Sequence, residues 1–490
     1  MKRTLFRVVF FIAGHGLSDV CPTSLKPWLF LSPSSSICIL SILNLSFKSY
    51  IDEKGSCRKG RDAMQIHVVR QGESIYSIAQ AYNISANQII SSNVLQAPNE
   101  LVIGQALVIP ITGRYHWVQP GETLSSIGRM FGVAPQEIAD ANNLSIDEPL
   151  KEGLRLYIPP SPKRYAQFNA YVEPRGTTVS ENLEQESRIA APYLTYLSPF
   201  SYRVLRDGKL KAPLLDDFPA IASNSGAVLV MVVTNLENDG FSGDLASQIL
   251  NNEDLQNVLF DQITETARKI GFRDIHFDFE NLKAGDRNAY TSFLKRAKAR
   301  FSKEGWQVSI ALAPKTSAGQ KGSWYEGHDY KAQGAAVDWV LIMTYEWGYS
   351  GGPAQAVSPI GPVRRVLTYA ISEIPSRKVM MGQNLYGYDW TLPFVKGSVA
   401  KAVSPQQAIA IARQYKVDIK YDYTAQAPFF RYTDEDGQQH EVWFEDARSI
   451  QAKFNLVKEL DLRGVSYWKL GLSFPQNWLL LQDNFNVTKL

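Results

Sequence analysis

Residues 274–280 read DIHFDFE, so Asp274, His276, Asp278 and Glu280 fall at every second position, with Ile275, Phe277 and Phe279 between them. A strand turns alternate side chains to opposite faces. Three acids and an imidazole therefore share one face, and three apolar groups the other. Ionised groups are rarely turned into a protein interior unless they are paired or used. Two carboxyls one pleat apart, about 7 Å along a strand, favour keeping one proton when partly desolvated, because like charge and low dielectric both raise a carboxyl pKa. A carboxyl raised in this way can donate a proton at neutral pH. Glu280 ends the expected strand, just before Asn281 and a polar loop, and is the candidate general acid. Asp278 lies one pleat deeper, and His276 and Asp274 support it. The alternative use of these charges is an internal ion-pair ladder, with Arg273 and Lys315 as the available cations.

The elements that must carry this face follow from the surrounding pattern. From about residue 165 onward, eight short apolar runs alternate with helical patterns: 167–172, 193–200, 227–233, 274–280, 307–313, 339–345, 378–387 and 464–470. After the fourth run, Tyr290, Phe293, Leu294, Ala297 and Phe301 recur at helical spacing. Strand–helix alternation implies a parallel sheet, and eight units over 167–490 fit an α/β fold of the (β/α)8, or TIM, barrel type. Active groups of such barrels sit at the C-terminal ends of the strands, where Glu280 falls. The stretch 415–447 breaks the rhythm and reads as a small antiparallel insertion between strands seven and eight.

Upstream, residues 66–93 realign with 115–142 at an ungapped offset of 49, and 101–110 realign with 150–159. Paired identities include His67/His116, Gly72/Gly121, Glu73/Glu122, Asn93/Asn142, Gly104/Gly153 and Pro110/Pro159. Each copy, 65–111 and 114–160, reads as strand, two short helices, strand. Gly72-Glu73-Ser74 and Gly121-Glu122-Thr123 supply turn and N-cap chemistry. About 45 residues make a thin core, and such modules usually act as ligand-holding beads. PPSPKRY at 159–165 is a Pro-rich junction, read as a short, semi-rigid linker over 161–166.

Composition narrows the function. The 490 residues hold 51 Lys and Arg against 48 Asp and Glu. Nine of the basic and four of the acidic residues lie in 1–63, which leaves 42 basic and 44 acidic residues in 64–490. The body of the chain has no electrostatic case for nucleic acid. All three cysteines, Cys21, Cys38 and Cys57, also lie in 1–63, so the remainder has neither a disulfide framework nor Cys ligands. With six His in all, neither a metal nor a cofactor is expected. Within 1–63, TLFRVVFFIAG resembles a leader core that Arg7 interrupts, and SICILSILNLSF is too short to cross a bilayer. Met64 is read as the natural start and 1–63 as an upstream translation artefact, with an untidy secretion leader as the alternative.

The two repeats resemble LysM domains, through V-x-x-G-E-[ST]-[IL]-x-S-I, the later Asn, and L-x-x-G-x-x-L-x-I-P. That resemblance implies binding of N-acetylglucosamine-containing glycans in a groove between the strand–helix loop and the loop before the last strand. It puts Gly72, Glu73 and Ser74 with 101–104, and Gly121, Glu122 and Thr123 with 150–153, near sugar, although the same residues also make the turn. The large domain resembles family 18 glycoside hydrolases, whose signature is D-x-x-D-x-D-x-E. Asp278 and Glu280 match its last two positions, His276 stands where the pattern has Asp, and Asp274 is displaced by one. MTYE (343–346) resembles the family's M-x-Y-D, and YWKLG (467–471) carries its late Trp.

The family resemblance implies substrate-assisted, retaining hydrolysis. Glu280 would be the acid, then the base. Asp278 would orient the sugar's acetamido group, Tyr345 would hydrogen-bond its oxygen, and Trp468 would floor the pocket. Trp468 could instead be a core residue. Met343, Glu346 and Tyr386 are further substrate contacts, with Glu346 equally able to pair with an arginine. Together the two resemblances imply a cell-wall glycosylase of spore-forming bacteria. It would act on cortex peptidoglycan or its fragments and sit in the spore coat or cortex or at the cell wall. A chitinase and a non-catalytic glycan-binding barrel are the other readings. Protein partners are not legible.

Overall fold

The computed structural model describes residues 65–490, apart from Ser161 and Asp239. The reading of 1–63 falls outside these residues. The first repeat folds as strand Gln65–Val68, helices Ile75–Tyr82 and Ala86–Asn93, and strand Ala106–Ile109, the two strands pairing antiparallel. The second repeats this with Arg114–Trp117, Leu124–Phe131, Pro135–Ala141 and Arg155–Ile158.

The residues shared by the two copies have local causes. Gly72 (φ 81°) and Gly121 (φ 77°) take the left-handed turn conformation that a side chain resists. Ser74 and Thr123 cap the following helices in reciprocal bonds with Ser77 and Ser126. The buried Asn93 amide donates to the carbonyls of Ile89 and Val108 and accepts from Val108 N, tying helix to strand. Asn142 makes the same three bonds with Ile138 and Tyr157.

The large domain is a closed parallel barrel of eight strands: Arg164–Val172, Tyr196–Pro199, Val228–Thr234, Asp274–Asp278, Gln307–Leu312, Trp339–Ile342, Val379–Asn384 and Gly464–Trp468. Each pairs with the next, and the eighth pairs with the first through Gly464↔Gln167. Helix Arg287–Phe301 follows the fourth strand and buries Tyr290, Phe293, Leu294, Ala297 and Phe301, the five residues of its apolar stripe. Ile275, Phe277 and Phe279 join this outer core between strands and helices. Val230, Val232, Trp339, Leu341 and Met380 fill a separate core with Tyr171 and Tyr345. Among the described residues, no helix is long and apolar enough to cross a membrane.

Several boundaries differ from expectation. The fourth strand ends at Asp278, so Glu280 lies two residues beyond it. The Asn235 side chain explains this. Its amide accepts from Glu280 N and donates to Glu280 O, both at 2.9 Å, replacing a strand neighbour. The antiparallel insertion begins at Gly387, well before residue 415, and forms five strands in the order Lys401–Val403, Gly387–Leu392, Gln439–Trp443, Ala427–Thr433 and Lys420–Asp422. The run 378–387 reads as one strand, but the chain turns out of the barrel after Asn384, whose amide donates to Tyr386 O at 2.7 Å across the corner.

The first small domain is joined to the barrel's outside. Ala106 and Val108 belong to the outer core, and their strand rests against helices Ala447–Glu459 and Pro475–Asn484.

Candidate active site

Asp278 and Glu280 sit at the C-terminal end of the fourth strand, 5% and 7% exposed. Burial, then the Asp278 charge, pushes Glu280 well above the ordinary carboxylate range, and burial raises Asp278 as well. Two such groups retain a proton between them at neutral pH. Glu280 Oε2 accepts a 2.6 Å bond from the indole N–H of Trp324, and Asp278 Oδ1 is buried with no hydrogen-bond partner among the described residues. The pair thus combines an acid anchored by one donor with a carboxylate oxygen left for something that arrives.

Among the described residues no ion-pair ladder forms beneath it. Lys315 Nζ donates to the carbonyls of Ala318 and His328, and Arg273 is exposed. The polar face continues downward as a hydrogen-bonded chain. Trp339 Nε1 donates to Asp274 Oδ2 at 2.6 Å, and Ser309 Oγ donates to Asp274 Oδ1 at 2.6 Å. His276 Nδ1 lies 2.8 Å from Ser309 Oγ, and Nε2 lies 2.7 Å from Tyr171 Oη. Burial holds His276 down at about 3 and raises Asp274 to about 6, so at neutral pH the imidazole is uncharged and the carboxylate ionised. Ser309 spends its one proton on Asp274. His276 must then carry its own at Nδ1 and accept from Tyr171 at Nε2. His276 and Asp274 therefore bond to each other's neighbours and not to Asp278.

The other expected residues gather around the mouth. Met343, Tyr345 and Tyr386 share the inner core with Trp468, Trp324 and Tyr388 packed against it. Trp468 is half-buried at the end of the eighth strand, edge-on to Tyr171 and Phe200 with centroids 5.4 and 5.0 Å away. Burial, then Asp278 and Glu280, pushes Tyr345 well above its usual pKa, so its phenol remains a donor. Gly382 makes room for that ring: a Cβ there would lie 2.8 Å from Tyr345 Cε1. Glu346 bonds to tyrosines, where an arginine had been the alternative. Tyr386 Oη donates to it, as does Tyr388 Oη at 3.1 Å. Burial raises Glu346 to about 7.

In the small domains, Glu73 Oε2 lies 2.8 Å from His67 Nε2 and accepts from Arg70 N, and Glu122 Oε2 lies 2.6 Å from His116 Nε2 and accepts from Gln119 N. Gly72, Ser74, Gly121 and Thr123 are exposed at the loop tips. Among the described residues, no cluster of His, Cys, Asp or Glu has the geometry to hold a metal ion.

Sequence reasoning did not single out Trp324, Asn235, Tyr171, Ser309, Trp339 or Tyr388. A lone Trp in the long loop after the fifth strand was the available signal for Trp324. Asn235 is 45 positions from the group it braces, and nothing in either segment marks the other.

The model of glycosyl hydrolases family 18 matches residues 215–472, and the LysM domain model matches 67–110 and 116–159. The chain belongs to family 18 of the glycosyl hydrolases. It is 63% identical over 427 residues to the cortical fragment-lytic enzyme of Bacillus subtilis (strain 168), covering 87% of this chain and 99% of that protein. The crystal structure of the Bacillus megaterium QM B1551 spore cortex-lytic enzyme SleL superposes with a TM-score of 0.82 at 55% identity, over 87% of this chain and 99% of that one. A Chromobacterium violaceum ATCC 12472 chitinase, 23% identical with a TM-score of 0.60 over 65% of this chain and 98% of that one, shares the family 18 fold.

Proposed function

We propose that this family 18 enzyme hydrolyses N-acetylglucosamine linkages in bacterial peptidoglycan, that of the spore cortex or its fragments, by substrate-assisted retaining catalysis. The LysM modules hold it on the insoluble polymer and raise the local substrate concentration. The observation that carries the chemistry is the buried pair in which Glu280 is pushed towards its protonated form beside an Asp278 oxygen with no hydrogen-bond partner among the described residues. Glu280 gives its proton to the bridging oxygen as the sugar's acetamido oxygen attacks the anomeric carbon and the bond to the leaving group breaks. Asp278 Oδ1 accepts from the acetamido N–H and offsets the positive charge of the cyclic intermediate. Tyr345 donates to the acetamido oxygen. Glu280, now ionised, takes a proton from water as that water attacks the anomeric carbon and reopens the ring. Trp468 forms the floor of the sugar pocket, and Met343, Glu346 and Tyr386 line it. The 63% identity to a cortical fragment-lytic enzyme supports the substrate and a place in the spore or at the cell wall.

Glu280→Gln keeps the shape and removes the proton. Turnover on soluble peptidoglycan fragments should fall by about 10²–10⁴-fold, with N-acetylglucosamine as the new reducing end in the parent's products. Unchanged cleavage by Glu280→Gln would remove the site assignment. Equal turnover on de-N-acetylated glycan would remove the substrate-assisted step.

A further inference from the structure

The two LysM modules are near-copies in sequence and fold, yet their surroundings differ at one loop. Residues 101–104 read LVIG and the matching 150–153 read LKEG. The loops have the same conformation. Gly104 has φ 82° and Gly153 φ 78°, and their N–H groups donate to the equivalent carbonyls of Val69 and Val118 at 2.8 and 2.9 Å. What covers them is different. Val102 is 6% exposed and packs in one core with Val403, Ile409, Ile419 and Phe430 of the insertion. Ile419 N donates to Ile103 O at 2.9 Å, and Arg448 donates to Gly104 O at 3.0 Å. A Cβ on Gly104 would stand 1.8 Å from Ile419 O, so backbone meets backbone there. In the second module Lys151, Glu152 and Gly153 are all exposed, and a Cβ on Gly153 would meet none of the described residues within 4 Å.

We propose that the two modules have separate tasks: the second captures insoluble glycan, while the loop of the first is closed by the insertion and serves as a brace holding that insertion to the barrel. This rests on the glycan-anchoring role of LysM given above. The residue differences follow the division. Val102 and Ile103 suit a protein contact, whereas Lys151 and Glu152 suit a surface kept open to water and sugar. A groove needs both lips. The first module keeps Gly72 and Ser74 of one lip exposed, but Val102 and Gly104 of the other lip are buried and only Ile103 between them stays exposed, so a polymer strand lying along Val102–Gly104 would have to displace Ile419 and Arg448. In the second module Gly121 and Thr123 of one lip and Lys151, Glu152 and Gly153 of the other are exposed.

The test uses the full chain with Glu280→Gln, so that glycan is bound and not cut, and measures co-sedimentation with purified insoluble peptidoglycan. Gln71 and Pro120 are matched, exposed positions beside the two turn glycines. Pro120→Trp and Glu152→Trp are expected to weaken binding by about tenfold or more, about 1.4 kcal/mol, and Gln71→Trp to leave it within about twofold. Equal weakening by Gln71→Trp and Pro120→Trp, or weakening by Gln71→Trp alone, would overturn the division and leave the anchoring role intact. No weakening by any of the three would overturn the anchoring role and the division with it. Val102→Lys checks the brace separately. It should lower the melting temperature by several degrees, as burying a charge does, while binding stays within about twofold. An unchanged melting temperature would show that the contact braces nothing.

Discussion

Trp324→Phe isolates one bond at the proposed acid. The indole N–H meets Glu280 Oε2 at 2.6 Å. An N–H donor holds an ionised carboxylate more strongly than a neutral carboxyl, so this bond draws the Glu280 pKa down against the upward push of burial and Asp278. Phenylalanine keeps an aromatic ring in place and deletes the donor. A hydrogen bond to a charged group contributes roughly 1.5–3 kcal/mol, and one pKa unit corresponds to about 1.4 kcal/mol. The Glu280 pKa should therefore rise by about 1–2 units. Because Glu280 acts as an acid while protonated, the loss of activity on the alkaline side moves with it. The assay is kcat/KM on soluble peptidoglycan fragments, by release of reducing ends, from about pH 4 to about pH 10; this ratio reports the free enzyme's groups. The basic limb should move upward by those 1–2 units while the melting temperature at neutral pH changes little. A limb that stays in place, or moves down, would refute the claim that this indole tunes the acid.

Two other substitutions probe what surrounds the site. Gly382→Ala sets a methyl 2.6 Å from Ile342 O and 2.8 Å from Tyr345 Cε1. It should cost about 1–3 kcal/mol by overpacking and lower kcat as Tyr345 is displaced; a normal melting temperature with normal kcat would contradict the crowding. Lys453 Nζ sits 2.7 Å from both oxygens of Glu445, each side chain 1% exposed. Lys453→Met strands a buried carboxylate and should cost about 3–5 kcal/mol by denaturant unfolding, most of it recovered in Lys453→Met with Glu445→Leu; equal losses in the single and double variants would exclude the stranded charge as the cause.

The barrel was legible because its strands are short apolar runs and its helices carry a clean stripe, as in Tyr290, Phe293, Leu294, Ala297 and Phe301. The Asp278–Glu280 pair was legible because alternation alone puts both acids on one face. What surrounds them was not, since those partners come from other strands and loops. Trp324, Asn235, Tyr171 and Ser309 reach the site only through barrel closure, and pairings so distant in sequence leave no periodic trace. Strand ends were misjudged where side chains replace ladder bonds, at Asn235 against Glu280 and at the Asn384 corner. The repeat was read from identities, whereas the different surroundings of its two copies depended on the positions where they disagree.

The seating of the first small domain against helices Ala447–Glu459 and Pro475–Asn484 also orders events during synthesis. The ribosome completes that domain early, and the helices it leans on leave the exit tunnel more than 300 residues later. At roughly 5–20 residues per second the interval is on the order of tens of seconds. Throughout it, the outward side chains of Ala106 and Val108 lack the two helices that cover them in the finished molecule. Newly made molecules thus carry this apolar strand face uncovered until both helices have emerged.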